Sequence, residues 1–438
     1  MKKYRIKNLP SAIKILFFKY SLLIFAAVIT AIALYIRLKV ASYPTNDSVG
    51  YIVNNWMGQI DEVGFKNFYS IDADYSPLYL FIIALLCKLP KGELETINNT
   101  TFYVNRLIYL KSVYFIFDIL LAIGIALIVY KTLNNKTTAF IAYYVTILLP
   151  VQYINSAIWG NCDVLYSSIL VFALFSIIIQ KDYVTYSLIG LALSLKLQAV
   201  FILPFIVYLI FNNKLRLYPI FMMFVVILLT FVPSYCCGAS FTQPFTFYQK
   251  QLNGYSNLTL GCANFWHLVN MYNMDSSDSV INKFSTIIAL AFIGLFFTIL
   301  YLRRIKLTKE NIIYVATFMI GIVPFFLPHM HERYFYIFEV LIVAYTLIKK
   351  KRYYLIPLTQ LSGLIAYYHY TSGFSKYFIE VMGEDSVTIA AVINLFVLAF
   401  IFIDLLHLEQ YSKEEFVESL KDRNYKTNKD TLTEGLEK

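Results

Sequence analysis

The stretch "GIVPFFLPHMHERYFYIFEVLIVAYTLIKKKR", residues 321 to 352, decides what kind of molecule this is. Two apolar runs enclose His329, His331, Glu332 and Arg333, and the second run stops on four consecutive cations. Apolar runs of this length suit a hydrocarbon core, and short loops rich in Lys and Arg mark its cytoplasmic side. The ionisable cluster therefore belongs at the opposite membrane boundary. Charged groups there are costly to keep near lipid and point to function.

The same alternation runs through the chain. Its 438 residues are 59% apolar and only 15% charged, outside the range of soluble domains. Twelve apolar segments are candidate spans: 17–38, 107–130, 138–154, 163–180, 183–198, 199–212, 217–234, 285–302, 311–328, 333–348, 353–369 and 388–406. The expected fold is all-α, a polytopic membrane bundle of about 12 transmembrane helices. The segments near 183–212 have no polar gap, so they read either as a broken pair or as one long helix. "MKKYRIKN" leads into the first span without a small-residue cleavage site, so that span is expected to be retained as an anchor.

Charge gives the orientation. "MKKYRIK", "KTLNNK" (131–136), "QKD" (180–182), "NNKLR" (212–216), "RRIKLTKE" (303–310) and "KKKR" (349–352) fall on one side if all twelve segments cross. The net charge of +10 is accordingly read as membrane topology and not as a nucleic-acid footprint. This arrangement requires that "PLYLFIIALLCKL" (77–89) does not cross, which its length supports. The expected layout is a cytoplasmic basic N-terminus (1–16), a transmembrane domain (17–406) with large outer loops at 39–106 and 235–284, and a charged cytoplasmic tail (407–438). The five cysteines have neither metal nor redox spacing and read as structural.

Several polar stretches then share the outer face: "SYPTNDSVGY" (42–51), "DADYSPLYL" (72–80), "NSAIWGNCD" (155–163), the lysine of "LSLKLQAVFILP" (194–204), and "PHMHER" (328–333). Each admits a plain reading as well. Asp47 and Asp163 each stand where they could cap a helix, and Trp56 and Trp159 could be ordinary interfacial aromatics. Lys196 and Asp118 could snorkel or join helices, or form functional pairs. His329 and His331 are close enough for a metal to be conceivable, yet the pattern is not His-Glu-x-x-His. A cationic pocket for an anion fits better, because arginine offers a planar fork to phosphate oxygens.

Taken together, the acidic residue early in the first outer loop, "YSPLYL", the Arg106–Lys111–Asp118 series, "WGNCD", "SLKLQAVFILP" and "LPHMHERYFY" resemble the GT-C superfamily of polyprenyl-phosphate-sugar-dependent glycosyltransferases. More narrowly they are similar to bacterial relatives of the eukaryotic enzyme that adds the second mannose to GPI anchors. The resemblance covers about residues 40–340. Many relatives have Gln where this chain has Asn161, and a second proline where it has Ser76.

The resemblance implies a hexosyltransferase of the cytoplasmic membrane, with both termini cytoplasmic and the active site outside. A hexose, by family proximity mannose, would pass from a polyprenyl-phosphate carrier to a hydroxyl of an envelope glycan or glycolipid, with inversion. Asp47 would be the general base. Arg333, His331, His329 and Lys196 would hold the donor phosphate, and Glu332, Asp163, Trp159, Asp74, Tyr75 and Arg106 would support them. No cofactor is expected; a divalent metal is conceivable but not favoured. The aromatic and amide-rich loop 242–270 is a candidate for sugar recognition. A polysaccharide polymerase or a lipid-linked-sugar flippase or transporter is the alternative. A transporter, however, should show internal repeats, and a polymerase a large basic loop between later spans.

Overall fold

The computed structural model describes residues 11–252, 257–269, 271, 279–368 and 386–421, with the backbone alone at 11–19, 249–252 and 279. Part of the basic N-terminus, pieces of the 235–284 loop, the end of the 353–369 segment and the tail from 422 onward lie outside the described residues.

Each of the twelve apolar segments falls on helix. Six helices are long and apolar enough to cross a membrane: Tyr20–Lys39, Val104–Leu133, Tyr218–Cys236, Val280–Leu302, Lys309–Phe326 and Ser386–Leu406. Lys136–Ile147 and Pro150–Trp159 together make a seventh, bent by 46° where Pro150 restarts the helix. The other predicted spans fold as shorter helices, among them Asp163–Ile178, Asp182–Leu195, Tyr336–Lys349 and Leu355–Tyr368. At 1.5 Å per residue a 16-residue helix reaches about 24 Å, less than a hydrocarbon core of about 30 Å. The protein is thus an all-α membrane protein in which long and short apolar helices pack together.

The 183–212 region is a broken pair. Lys196 is extended, at φ −155° and ψ 136°, between Asp182–Leu195 and a 3-10 turn, Leu197–Ile202, that leads into Leu203–Phe211. Pro77–Cys87 is a separate helix of 11 residues, capped by Ser76 and started by Pro77. Its length covers about 17 Å, too little for a crossing.

Burial separates core from periphery. Lys309–Phe326 and Tyr336–Lys349 are buried on nearly every side, as expected of helices that are apolar all round. By contrast, Phe224, Leu228, Leu229, Phe284, Ile287 and Leu290 stand exposed on Phe221–Cys236 and Ser279–Leu302, the kind of surface that hydrocarbon covers. Asp118 is a helix-joining group: it accepts from Arg37 Nε at 2.9 Å and from Ser156 Oγ at 2.6 Å, while Arg37 also reaches the Ile147 carbonyl at 3.0 Å. Near the "KKKR" run, Arg352 grips Asp404 with two N–H···O bonds of 2.7 and 2.9 Å, and Tyr345 adds a third at 2.5 Å.

Outside the bundle, the first loop carries a hairpin, Leu94–Ile97 with Thr100–Tyr103. Asn98 and Asn99 both take positive φ at its tip, as a two-residue primed turn demands.

Candidate active site

Asp47 lies in the first turn of a π-helix, Asn46–Trp56. Thr45 caps that helix: its hydroxyl accepts from the Ser48 amide at 3.2 Å, and Ser48 Oγ in turn accepts from the Thr45 amide. The capping alternative for Asp47 is thereby removed. Its carboxylate instead receives the indole N–H of Trp159, at 3.0 Å to Oδ2.

Trp159 ends a second π-helix, Ile154–Trp159, and is only 3% exposed, so it is not an interfacial aromatic facing lipid. The chain then turns sharply through Gly160 at φ +74°. A Cβ on Gly160 would meet Lys111 Cε and Ser48 Cβ at 2.8 Å each. Glycine is therefore what lets the "WGNCD" turn press against Ser48 and Lys111. Three bonds fasten the seam: Thr45 Oγ1 donates to the Trp159 carbonyl at 2.7 Å, and Lys111 donates to the carbonyls of Tyr43 (2.7 Å) and Ile158 (3.0 Å). Gly160→Ala should lower the unfolding midpoint in detergent and abolish function together. The left-handed backbone alone costs about 1–2 kcal/mol, before the clash with Ser48 and Lys111. An unchanged midpoint would show that the seam can open.

Beyond that turn, Asp163 is fully buried at the start of Asp163–Ile178, and that helix has no side-chain cap. Its carboxylate is an organiser of charge. Lys196 Nζ meets Oδ1 at 2.5 Å, Asn155 Nδ2 meets Oδ2 at 3.0 Å, and Arg333 Nε approaches Oδ2 at 3.6 Å. The helix break at Lys196 now has a reason, since the extended residue sends its ammonium to Asp163 and Asn161. Ser76, whose hydroxyl also reaches the Leu195 carbonyl at 3.1 Å, ties the Pro77–Cys87 helix to the same break. Two residues later in the broken segment, Gln198 donates to Tyr334 Oη at 2.6 Å.

The "HMHER" segment closes this side. Met330–His331 pairs in parallel with Thr259–Leu260. Arg333 pairs with Glu332 through Nη1, and its guanidinium lies 5.4 Å from the Trp159 ring and 5.9 Å from the Tyr334 ring. Among the described residues its Nη2 and Nε make no hydrogen bond, and Nε keeps only the 3.6 Å approach to Asp163. Burial lifts the Glu332 carboxyl, but Arg333 and His331 outweigh this and hold it below the usual range. Burial and then Arg333 push His331 below its ordinary value, which favours the neutral ring. Asp74, exposed at the rim, is raised by desolvation and partly offset by Lys196, Arg333 and His331, which locates it in the field of these cations. Tyr75 belongs here too, with Lys196 Nζ 5.5 Å from its ring and Trp56 5.1 Å away on another side.

Two sequence candidates lie apart from this cluster. His329, at φ +61°, uses Nδ1 on the Asn257 carbonyl (2.8 Å) and Nε2 on Asn282 (3.1 Å), so it staples the stretch around Asn257 to Ser279–Leu302. Arg106 pairs with Asp61 at 2.6 Å and holds the helix Met57–Val63. Burial raises the Asp61 carboxyl, but Arg106 and Lys91 bring it below the usual range. Conversely, Thr45, Asn155, Gln198 and Gly160 were not singled out from the sequence. Only Asn155 and Gly160 carried a local signal, by standing beside Trp159 and Asp163 in one polar turn. Among the described residues no three His, Cys, Asp or Glu side chains are grouped to hold a metal.

In comparisons with known proteins, the chain matches no family model and no curated protein.

Proposed function

We propose that this chain is an inverting membrane glycosyltransferase of GT-C type, moving a hexose from a polyprenyl-phosphate carrier to a hydroxyl of an envelope glycan or glycolipid at the outer membrane face. The observation that carries the reading is the Trp159 indole, which holds a carboxylate, Asp47, on its N–H and a guanidinium, Arg333, over its ring. A base and an anion-binding fork are thus held one indole apart. Inversion needs that disposition, because the acceptor oxygen attacks the anomeric carbon from the side opposite the departing phosphate.

In the reaction, Asp47 takes the proton of the acceptor hydroxyl as its oxygen bonds to the anomeric carbon. The bond from that carbon to the carrier phosphate breaks, its electron pair leaves on oxygen, and a phosphodiester becomes a monoester dianion. Lys196 and Arg333 are already neutralised by Asp163 and Glu332, so the attraction for phosphate rests on unspent N–H donors aimed by those carboxylates more than on net charge. Preorganised donors of this kind strengthen as charge develops on the leaving oxygen. Hexose identity, mannose by resemblance, would be set by Asp74, Tyr75 and the 242–270 loop.

The test is transfer itself. Purified protein in vesicles is given a panel of polyprenyl-phosphate hexoses and glycolipid acceptors, and release of polyprenyl phosphate is followed. Protein-dependent release that is lost in Asp47→Asn is expected. Intact lipid-linked sugar appearing in the opposite leaflet without release would overturn the reading in favour of a flippase. Sidedness is tested separately in a cysteine-free variant. Asn98→Cys, at the exposed hairpin tip, should react with an impermeant maleimide from outside. Lys136→Cys and Lys351→Cys, both exposed, should react only after permeabilisation. Labelling of Lys136→Cys from outside would reverse the topology.

A further inference from the structure

We infer that Trp159 is a positioning residue that fixes which oxygen of Asp47 receives the acceptor proton. This rests on the reading under Proposed function and goes beyond it by assigning the indole N–H the task of orienting the base. Oδ2 of Asp47 is occupied by that N–H at 3.0 Å, whereas Oδ1 has no hydrogen bond among the described residues. One oxygen is pinned and the other is presented.

The ring that does the pinning is itself immobilised from several sides. Tyr367 meets it edge-on with centroids 5.4 Å apart, Arg333 covers it, and Thr45 holds its own carbonyl at 2.7 Å. The side chain is 3% exposed, in a setting where an indole N–H normally needs a partner. A residue present only for packing could spend its N–H on any nearby carbonyl; this one spends it on the carboxylate assigned to catalysis. Loss of the N–H should therefore free the carboxylate to turn and lower turnover without weakening donor binding.

The experiment compares wild type with Trp159→Phe, which keeps an aromatic ring under Arg333, removes the donor and leaves a smaller side chain. The readouts are kcat and donor KM, with the unfolding midpoint in parallel. Turnover should fall by about tenfold, the size expected for one hydrogen bond to a charged group. Donor KM should stay within about threefold, since Arg333 keeps a ring beneath it. As a second route that does not depend on Phe being tolerated, a Trp56→Phe, Trp266→Phe background is made with benzothienylalanine at 159. This isostere replaces the N–H with sulfur at nearly the same ring size, and the same loss of turnover is expected. An unchanged kcat in either folded variant, or a change confined to donor KM, would overturn the inference and leave Trp159 as packing for Arg333. If Asp47→Asn itself transfers at wild-type rate, the base assignment fails instead, so the two failures are distinguishable.

Discussion

Asp47→Asn should lower sugar transfer by about 10²- to 10⁴-fold, the usual contribution of a general base, while donor affinity and the unfolding midpoint stay near wild type. The geometry makes this a clean substitution. Thr45 caps the Asn46–Trp56 helix, so no helix start is lost with the carboxylate. The amide oxygen of asparagine can still accept the Trp159 N–H, and the amide nitrogen merely takes the position of the presented oxygen. Shape is kept and basicity is not. Purified Asp47→Asn transferring at near wild-type rate would end the assignment, and Asp74, in the field of Lys196, Arg333 and His331, would be the next carboxylate to test.

The Arg333 series should be graded. Arg333→Ala removes the fork and should cost about 10²- to 10³-fold in turnover, as loss of an oxyanion-stabilising donor does. It also leaves Glu332, 2% exposed, with His331 Nδ1 at 3.5 Å as its remaining partner, and losing one partner of a buried pair destabilises by up to about 3–5 kcal/mol. Arg333→Lys is therefore the decisive variant: charge is kept, Glu332 stays paired, and only the planar edge is lost. Partial activity is expected, with the deficit in kcat as well as in donor KM, because the leaving phosphate gains charge along the reaction. Chelator should change none of these rates. A metal on the two histidines would need His329 to leave both Asn257 and Asn282. Activity stripped by chelator, restored by a divalent ion and indifferent to Arg333 would replace the phosphate pocket with a metal centre.

The all-α membrane class was legible because long apolar runs punctuated by cationic turns admit few other structures. Helix length was not. Segments such as 163–180 and 333–348 have the composition of spans yet fold as 16- and 14-residue helices, since burial inside a large bundle selects the same residues as burial in lipid. Lys196 and Arg333 could be singled out from the chain because ionisable groups beside apolar runs are rare enough to stand out, whereas Asp47, Asp163 and Trp159 joined them only through the resemblance. Their pairing could not, for it depends on Thr45 taking the cap and on Gly160 admitting Ser48 and Lys111. His329 and Arg106 were grouped with the site because proximity in sequence, or on a helix, does not say which way a side chain reaches. His329 turns away through its left-handed backbone, and Arg106 turns toward Asp61.

Both helices that meet at Asp47 and Trp159 are wound in the wider π form, and each ends on an amide bonded five residues back, Met57 to Ile52 and Gly160 to Asn155. A turn of that kind is an α-helix holding one residue too many. Deleting a single residue within 50–55 would let the first helix relax to 3.6 residues per turn, with its hydrogen bonds intact and its apolar composition unchanged. The residues after the deletion would nonetheless rotate by about 100° relative to those before it, so Thr45 and Asp47 could not both keep their partners while Trp56 kept Tyr75. The spacing of this chain is thus under tighter constraint than its residue types: substitutions can be absorbed along the lipid-facing helices, whereas a length change of one near Asp47 puts the reading frame of the site out of phase with its scaffold.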